Sequence, residues 1–211
     1  MSAPPRMEPE TVSITPDTLP PRDAYRLTTS VVVPRPIAWI STIGEAGVTN
    51  LAPYSFFNAV AGAPPTIMVS IGEREGEPKD TLRNLRATGE MVVHLADEAL
   101  AEALNVTSGD FARGVSEFER AGLASLSSVD VRPPRVAAAP VAMEARLLQE
   151  TRIAGSHYTV VFVQVVRSHI RRDLLGEDAL VLADRLRPIC RLGRDEYAPL
   201  GEVFRMERPR V

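Results

Sequence analysis

The sequence predicts a mainly β protein, an antiparallel barrel with two or three peripheral helices. Apolar runs of strand length outnumber helical ones, and short turns join them. Eighteen prolines against thirteen glycines suit strand ends and fixed turns better than a helical bundle. No G-x-G-x-x-G follows a strand, which argues against a doubly wound α/β sheet.

The elements follow in order. Residues 1–22, with Thr15-Pro16 and Leu19-Pro20-Pro21, carry no periodic apolar face and read as an extended arm able to wrap a partner subunit. The rest, 23–211, reads as a single domain, as the 211-residue length allows. RPIAWISTI (35–43) has β-branched and aromatic strand content, Gly44 to Gly47 supplies a turn, and Val48 opens a second extended run, together a hairpin. Pro64-Pro65 breaks the chain before the strand Thr66–Ile71. The charged, glycine-punctuated stretch Gly72–Lys79 leads to a helix capped by Asp80 and closed after Thr88 by Gly89. Met91–Leu95 is another strand, Asp97 caps a second helix through Leu104, and Ser116–Ala121 forms a short amphipathic turn. Two long extended runs, Val136–Thr151 and His157–His169, flank the turn Ala154-Gly155-Ser156. Both faces of His157–Val166 are apolar, which predicts a central strand buried on both sides. The short runs Ala179–Ala183 and Pro188–Leu192 precede a polar tail.

Composition narrows the function. With 45% apolar and 24% charged residues, the chain is an ordinary globular mixture. A net charge of −3 argues against nucleic-acid binding, which needs a clustered basic excess. Cys190 is the single cysteine, so no intrachain disulfide is expected and a reducing, cytoplasmic setting is favoured. No secretory signal or membrane-spanning run is expected. The three histidines lack the spacing of a metal site, and no G-x-S-x-G elbow offers a hydrolase nucleophile. Trp39 reads as core or interface.

Three places could carry chemistry. Ser70 with Lys79-Asp80-Thr81 combines hydroxyls, an ammonium and a helix start, which suits an anion such as phosphate; residue chemistry alone leaves open an ordinary capped helix with a solvated Lys79. Thr49-Asn50-Leu51-Ala52-Pro53-Tyr54-Ser55, opposite Ser41-Thr42, sets small and polar residues at strand ends. There backbone groups can read the edge of a planar heterocycle, and Pro53 limits ladder pairing. The alternative is a proline-kinked edge strand. His157, at a strand start after a flexible turn, could donate to a cofactor or a reduced nicotinamide, with a structural role as the alternative; His94 and His169 read as structural.

RPIAWIST (35–42), TNLAPYSFFN (49–58) and KDTLRNL (79–85) closely resemble the flavin reductase-like family of FMN-binding split barrels. The resemblance continues through Gly114–Gly122, Gly155-Ser156-His157, Arg191-Leu192-Gly193 and Tyr197, covering about residues 20–208. It implies an antiparallel split β-barrel, a homodimer, and FMN near the subunit interface, with FAD or exchangeable flavin in some members. By position, Ser41, Thr42, Asn50, Ala52 and Ser55 would face the flavin ring or ribityl chain. Ser70, Lys79, Asp80, Thr81 and Asn84 would surround its phosphate. His157 matches a histidine near the nicotinamide of NAD(P)H-dependent relatives. The implied activity is hydride transfer from NAD(P)H to flavin, with a monooxygenase or redox protein as partner. The alternatives are a flavoredoxin-like electron carrier reduced by another protein, and a flavin enzyme acting on its own organic substrate. Two positions depart from the family pattern: His94 stands where relatives commonly have Asn, and Arg194 replaces a second Gly in the closing motif.

Overall fold

The computed structural model describes residues 10–209. Seven strands, β1 (Ala38–Ile43), β2 (Thr49–Tyr54), β3 (Phe57–Gly62), β4 (Pro65–Arg74), β5 (Glu90–Leu95), β6 (Val141–Arg152) and β7 (Tyr158–Ile170), lie in the order β2-β1-β5-β6-β7-β4-β3. Every neighbouring pair is antiparallel, and a two-residue strand, Glu77–Pro78, adds to β4 as the eighth. Among the described residues five α-helices decorate the sheet: α1 (Pro21–Val31), α2 (Asp80–Thr88), α3 (Ala101–Val106), α4 (Glu117–Arg120) and α5 (Ala183–Leu186).

Alternation along the strands makes the sheet curl. Ala38 and Ile40, Tyr54, Ile67, Val69 and Ile71, Met91 and Val93, Ala145, and Val161 and Val163 all point to one side and form a single buried cluster. A flat sheet could not bring six strands onto one cluster; a coiled one can. The end strands β2 and β3 are not paired with each other, so the barrel is split rather than closed. Leu82 and Leu85 of α2, three residues apart on one helical face, plug the interior. Gly89 takes the left-handed φ of +71° that ends this helix.

The opposite face of β1 and β2 carries a second cluster, in which Trp39, Leu51, Leu100, Leu104, Phe118, Val136 and Ile189 meet. The Trp39 indole donates to Thr107 Oγ1 at 2.8 Å. A fully buried His94 links this layer: Nδ1 lies 2.8 Å from the Trp39 carbonyl, and Nε2 accepts from the Val136 amide at 3.0 Å. His94 is therefore structural, as expected. So is His169, whose Nε2 lies 2.6 Å from the buried Glu144 carboxylate.

Several expectations need correction. The segment after Leu19 is helical, not extended: α1 begins at Pro21, where a proline at the first helical position costs no hydrogen bond. Residues 16–18 form one 3-10 turn, and the first nine residues of the expected arm lie outside those described. Strand β3 had no counterpart in the reading of the sequence. Asp80 is not the N-cap of α2; Lys79 is, and no side chain caps the helix. The Asp80 carboxylate turns instead to Arg83, one turn on, with Arg113 at 3.7 Å. Strand β7 is central, lying between β6 and β4, but only Thr159, Val161 and Val163 are buried. The other face, Tyr158, Val160, Phe162 and Gln164, is half-buried, with Phe56 packed 5.7 Å from the Tyr158 ring.

Candidate functional site

The turn and helix start that the sequence marked as an anion site sit at the mouth of a cavity of about 360 Å³. Asn50, Ala52, Pro53 and Tyr54 of β2 form one wall, Pro78, Lys79, Asp80 and Arg83 another, and the loop Thr107–Phe111 a third. The volume lies within the range of small-molecule sites. The opening turn of α2 presents amides that no side chain caps, which suits an anion. Lys79 is exposed, its Nζ 5.8 Å from the centre of the Tyr54 ring, and among the described residues it joins no carboxylate. The other cations are spoken for: Arg83 and Arg113 contact Asp80, and Arg74 lies 3.4 Å from Asp110. Glu117 also lines the cavity. Its Oε2 accepts the Leu51 amide at 2.9 Å, and burial pushes its pKa up.

Behind this wall lies a closed network. The buried Thr81 hydroxyl accepts from Asn50 Nδ2 and from the Tyr54 hydroxyl, each at 2.9 Å. Burial, foremost, raises the Tyr54 pKa, so Tyr54 stays a donor and fixes the strand to the helix. Thr81 thus positions Asn50 and Tyr54 rather than lining the cavity.

The remaining candidates are dispersed. Ser55 lines a second cavity beyond Pro53. Thr42 accepts from Asn84 Nδ2 at 3.1 Å, below the Gly44 turn. Ser41 points to the outer layer, where its hydroxyl donates to the Pro134 carbonyl at 2.5 Å. Ser70 lies on the outer face of β4; its buried hydroxyl has no hydrogen-bond partner among the described residues. The next residue on that face is Gly72, where a Cβ would stand 3.1 Å from the Tyr158 ring. His157 is exposed, its Nδ1 3.4 Å from Glu73 Oε2, and it lines neither cavity. The fold thus gathers Asn50, Ala52, Lys79 and Asp80, keeps Thr81 behind them and Ser55 beside them, and leaves Ser41, Thr42, Ser70, Asn84 and His157 outside both cavities.

The second cavity, of about 580 Å³, adjoins the first at Pro53 and Ser108. Its lining includes Arg22, Arg26, Arg35, Arg191 and Arg194 against one carboxylate, Asp195. Arg35 is only 7% exposed. It donates to the Thr29, Val32 and Leu192 carbonyls, each at 2.6 Å, and through Nε to Ser55 Oγ at 3.4 Å. Burial lowers its pKa, yet a guanidinium stays protonated. None of these arginines was singled out from the sequence as lining a cavity. Arg83, three residues after Asp80 in KDTLRNL, and Arg26, three after Asp23, were cavity cations that spacing could have flagged.

The observations available within one chain fit a flavin phosphate and ring edge: an uncapped helix start beside an uncommitted ammonium, and the small residue Ala52 next to Asn50. Among the described residues no group of His, Cys, Asp or Glu is arranged to hold a metal ion, and no helix is long and apolar enough to cross a membrane.

Comparison with known proteins agrees with this geometry. An uncharacterized protein of Halalkalibacterium halodurans is 37% identical over 205 residues, 95% of this chain and 98% of its own. Nitrilotriacetate monooxygenase component B from Bacillus cereus superposes with a TM-score of 0.91 at 36% identity, covering 94% of this chain and all of that one. The 2-nitrobenzoate 2-nitroreductase NbaA of Pseudomonas fluorescens gives 0.85 at 31% identity, over 94% of this chain and 96% of that one. The family model of the flavin reductase like domain matches residues 30–189, and the chain belongs to that family.

Proposed function

We propose that this protein binds FMN, or FAD in its place, in the groove that runs past Pro53, and that it reduces the flavin with NAD(P)H. The observation that carries the reading is the pairing of Lys79 with the uncapped start of α2 in one cavity with Asn50 and Ala52. Lys79 and the first amides of α2 hold the phosphate. Asn50, Ala52 and Ser55 meet the ring and ribityl chain, with Ser41, Thr42 and Asn84 fixing the strand and turn behind them. Asp80 and Thr81 act by position, through Arg83 and through the Asn50–Tyr54 network. Ser70 supplies a spare hydroxyl. When bound, flavin would supply the redox chemistry, accepting a hydride from NAD(P)H, which would leave as NAD(P)⁺, and handing the electron pair to an acceptor or to a monooxygenase.

His157 contacts nicotinamide in this reading only when a second copy of the chain completes the groove, so the working unit is a homodimer. Exposed apolar side chains on the long strands and their turn, Leu148, Ile153, Val166 and Ile170, offer a surface for it. The buried free Cys190 accords with a cytoplasmic setting. Anaerobic stopped-flow reduction tests the activity: NADH or NADPH should bleach the bound flavin, and bleaching by neither sinks the reductase reading. The exposed position of His157 favours a second reading, an electron carrier reduced by a partner protein. His157→Ala should slow reduction by NAD(P)H in a reductase and leave a carrier unaffected.

A further inference from the structure

The arginine-rich cavity beyond Pro53 is not needed to hold the flavin phosphate, which Lys79 and α2 serve from the other side. Five arginines line it with one carboxylate, Asp195, and Arg26 also pairs with Asp23 at 3.7 Å, which leaves a formal excess of three positive charges. At its base, Arg35 is buried and bonded only to carbonyls and a hydroxyl. A buried cation without a counter-charge is costly unless an anion arrives to share the site. Arg194 adds a second, independent mark. Its φ is +51°, a left-handed conformation in which a side chain strains the backbone and glycine does not. Glu75, Ala179 and Arg187 share this conformation; of the four, Arg194 alone puts a positive charge on a cavity wall.

Charge decides the class of ligand. A monocarboxylate would leave most of the excess unmet, whereas the diphosphate and 2′-phosphate of NADPH carry about four negative charges at neutral pH. Tyr25, half-exposed on α1, offers a ring face to an adenine. We propose that this cavity is the subsite for the phosphorylated adenosine half of the nicotinamide donor, with Arg22, Arg26 and Arg194 reading its phosphates above the buried Arg35. The subsite rests on the reductase reading and deepens it: the donor preferred is NADPH.

The test uses the flavin-loaded protein and two variants, Arg194→Gly and Arg22→Ala. Calorimetric titration with 2′,5′-ADP reads the subsite without turnover. Each variant should bind 2′,5′-ADP about tenfold more weakly or worse, as for the loss of a charge-assisted hydrogen bond. Arg194→Gly should meanwhile melt at or above the wild-type temperature, because strain is relieved. Misfolding cannot produce that pair of results. In turnover, KM for NADPH should rise about tenfold with kcat within about twofold. The inference is overturned if 2′,5′-ADP binds no better than adenosine, if neither variant changes its affinity, or if the variants weaken FMN instead. Arginine-dependent binding of 2′,5′-ADP without bleaching by either nicotinamide upholds the subsite and sinks the reductase reading. Bleaching with arginine-independent binding does the reverse.

Discussion

Around His94 the polar valences are spent internally: one ring nitrogen meets the Trp39 carbonyl, the other the Val136 amide, and the Trp39 indole meets Thr107. In the groove past Pro53 they are not. Lys79 joins no carboxylate among the described residues, α2 starts without a side-chain cap, and of the five arginines lining the second cavity only Arg26 pairs with a carboxylate there, Asp23. Both regions adjoin β2. The difference is that a satisfied polar group fixes the fold, whereas one with donors to spare can hold a ligand. Thr81 stands on the boundary, with its back to the groove and both neighbours satisfied through its oxygen.

The contrast can be broken most forcefully at His94. His94→Ala leaves a void and two unmet backbone groups in a fully buried layer, a loss of about 3–5 kcal/mol. Thermal unfolding should fall by roughly 10 °C; a melting point within a degree of wild type would show that the layer is not closed.

Titration sharpens the same point. Burial, first, and then the field of Arg135 hold the His94 pKa down to about 4 against the bond to Trp39, whereas an unfolded histidine titrates near 6.5. The unfolded chain therefore binds an extra proton between those values. The contribution is complete above about pH 6.5 and lost as pH falls towards 4, about 3 kcal/mol in all. Urea unfolding at stepped pH should show this slope in wild type and a flatter one in His94→Asn; equal slopes would place the acid sensitivity elsewhere.

A smaller effect is expected at the boundary. Thr81→Val strips the acceptor from Asn50 and Tyr54 and should cost about 1–2 kcal/mol of stability. FMN and riboflavin should then bind equally more weakly in parallel titrations. Loss confined to FMN would mean that the Thr81 hydroxyl reaches the phosphate itself.

How far the sequence revealed this follows from where the information sits. Strands β1, β2, β4 and β5 were readable because alternating apolar residues and their turns are local. So were α2 and the anion equipment at Lys79. Strand β3, FNAVAG, escaped because its residues after Phe57 are small and exposed, so no face is marked. Helix α1 escaped because it buries Thr29 alone and is held from outside, by Arg35. The arginine cavity was invisible for a related reason: its arginines come from positions 22–35 and 191–194, joined by the bond from Arg35 to the Leu192 carbonyl. The placement of His157 outside both cavities was equally unreadable, since its turn is packed by pairings of β7 with β4 and β6.

The central claim is that the open side of this comparison holds a flavin, with Lys79 on its phosphate. Paired titrations of FMN and riboflavin into wild type and Lys79→Ala test it directly. The account predicts that the variant binds FMN about tenfold more weakly, the worth of one charge-assisted contact, while riboflavin affinity and melting temperature stay as in wild type. Equal losses for both flavins, or none for either, would contradict it.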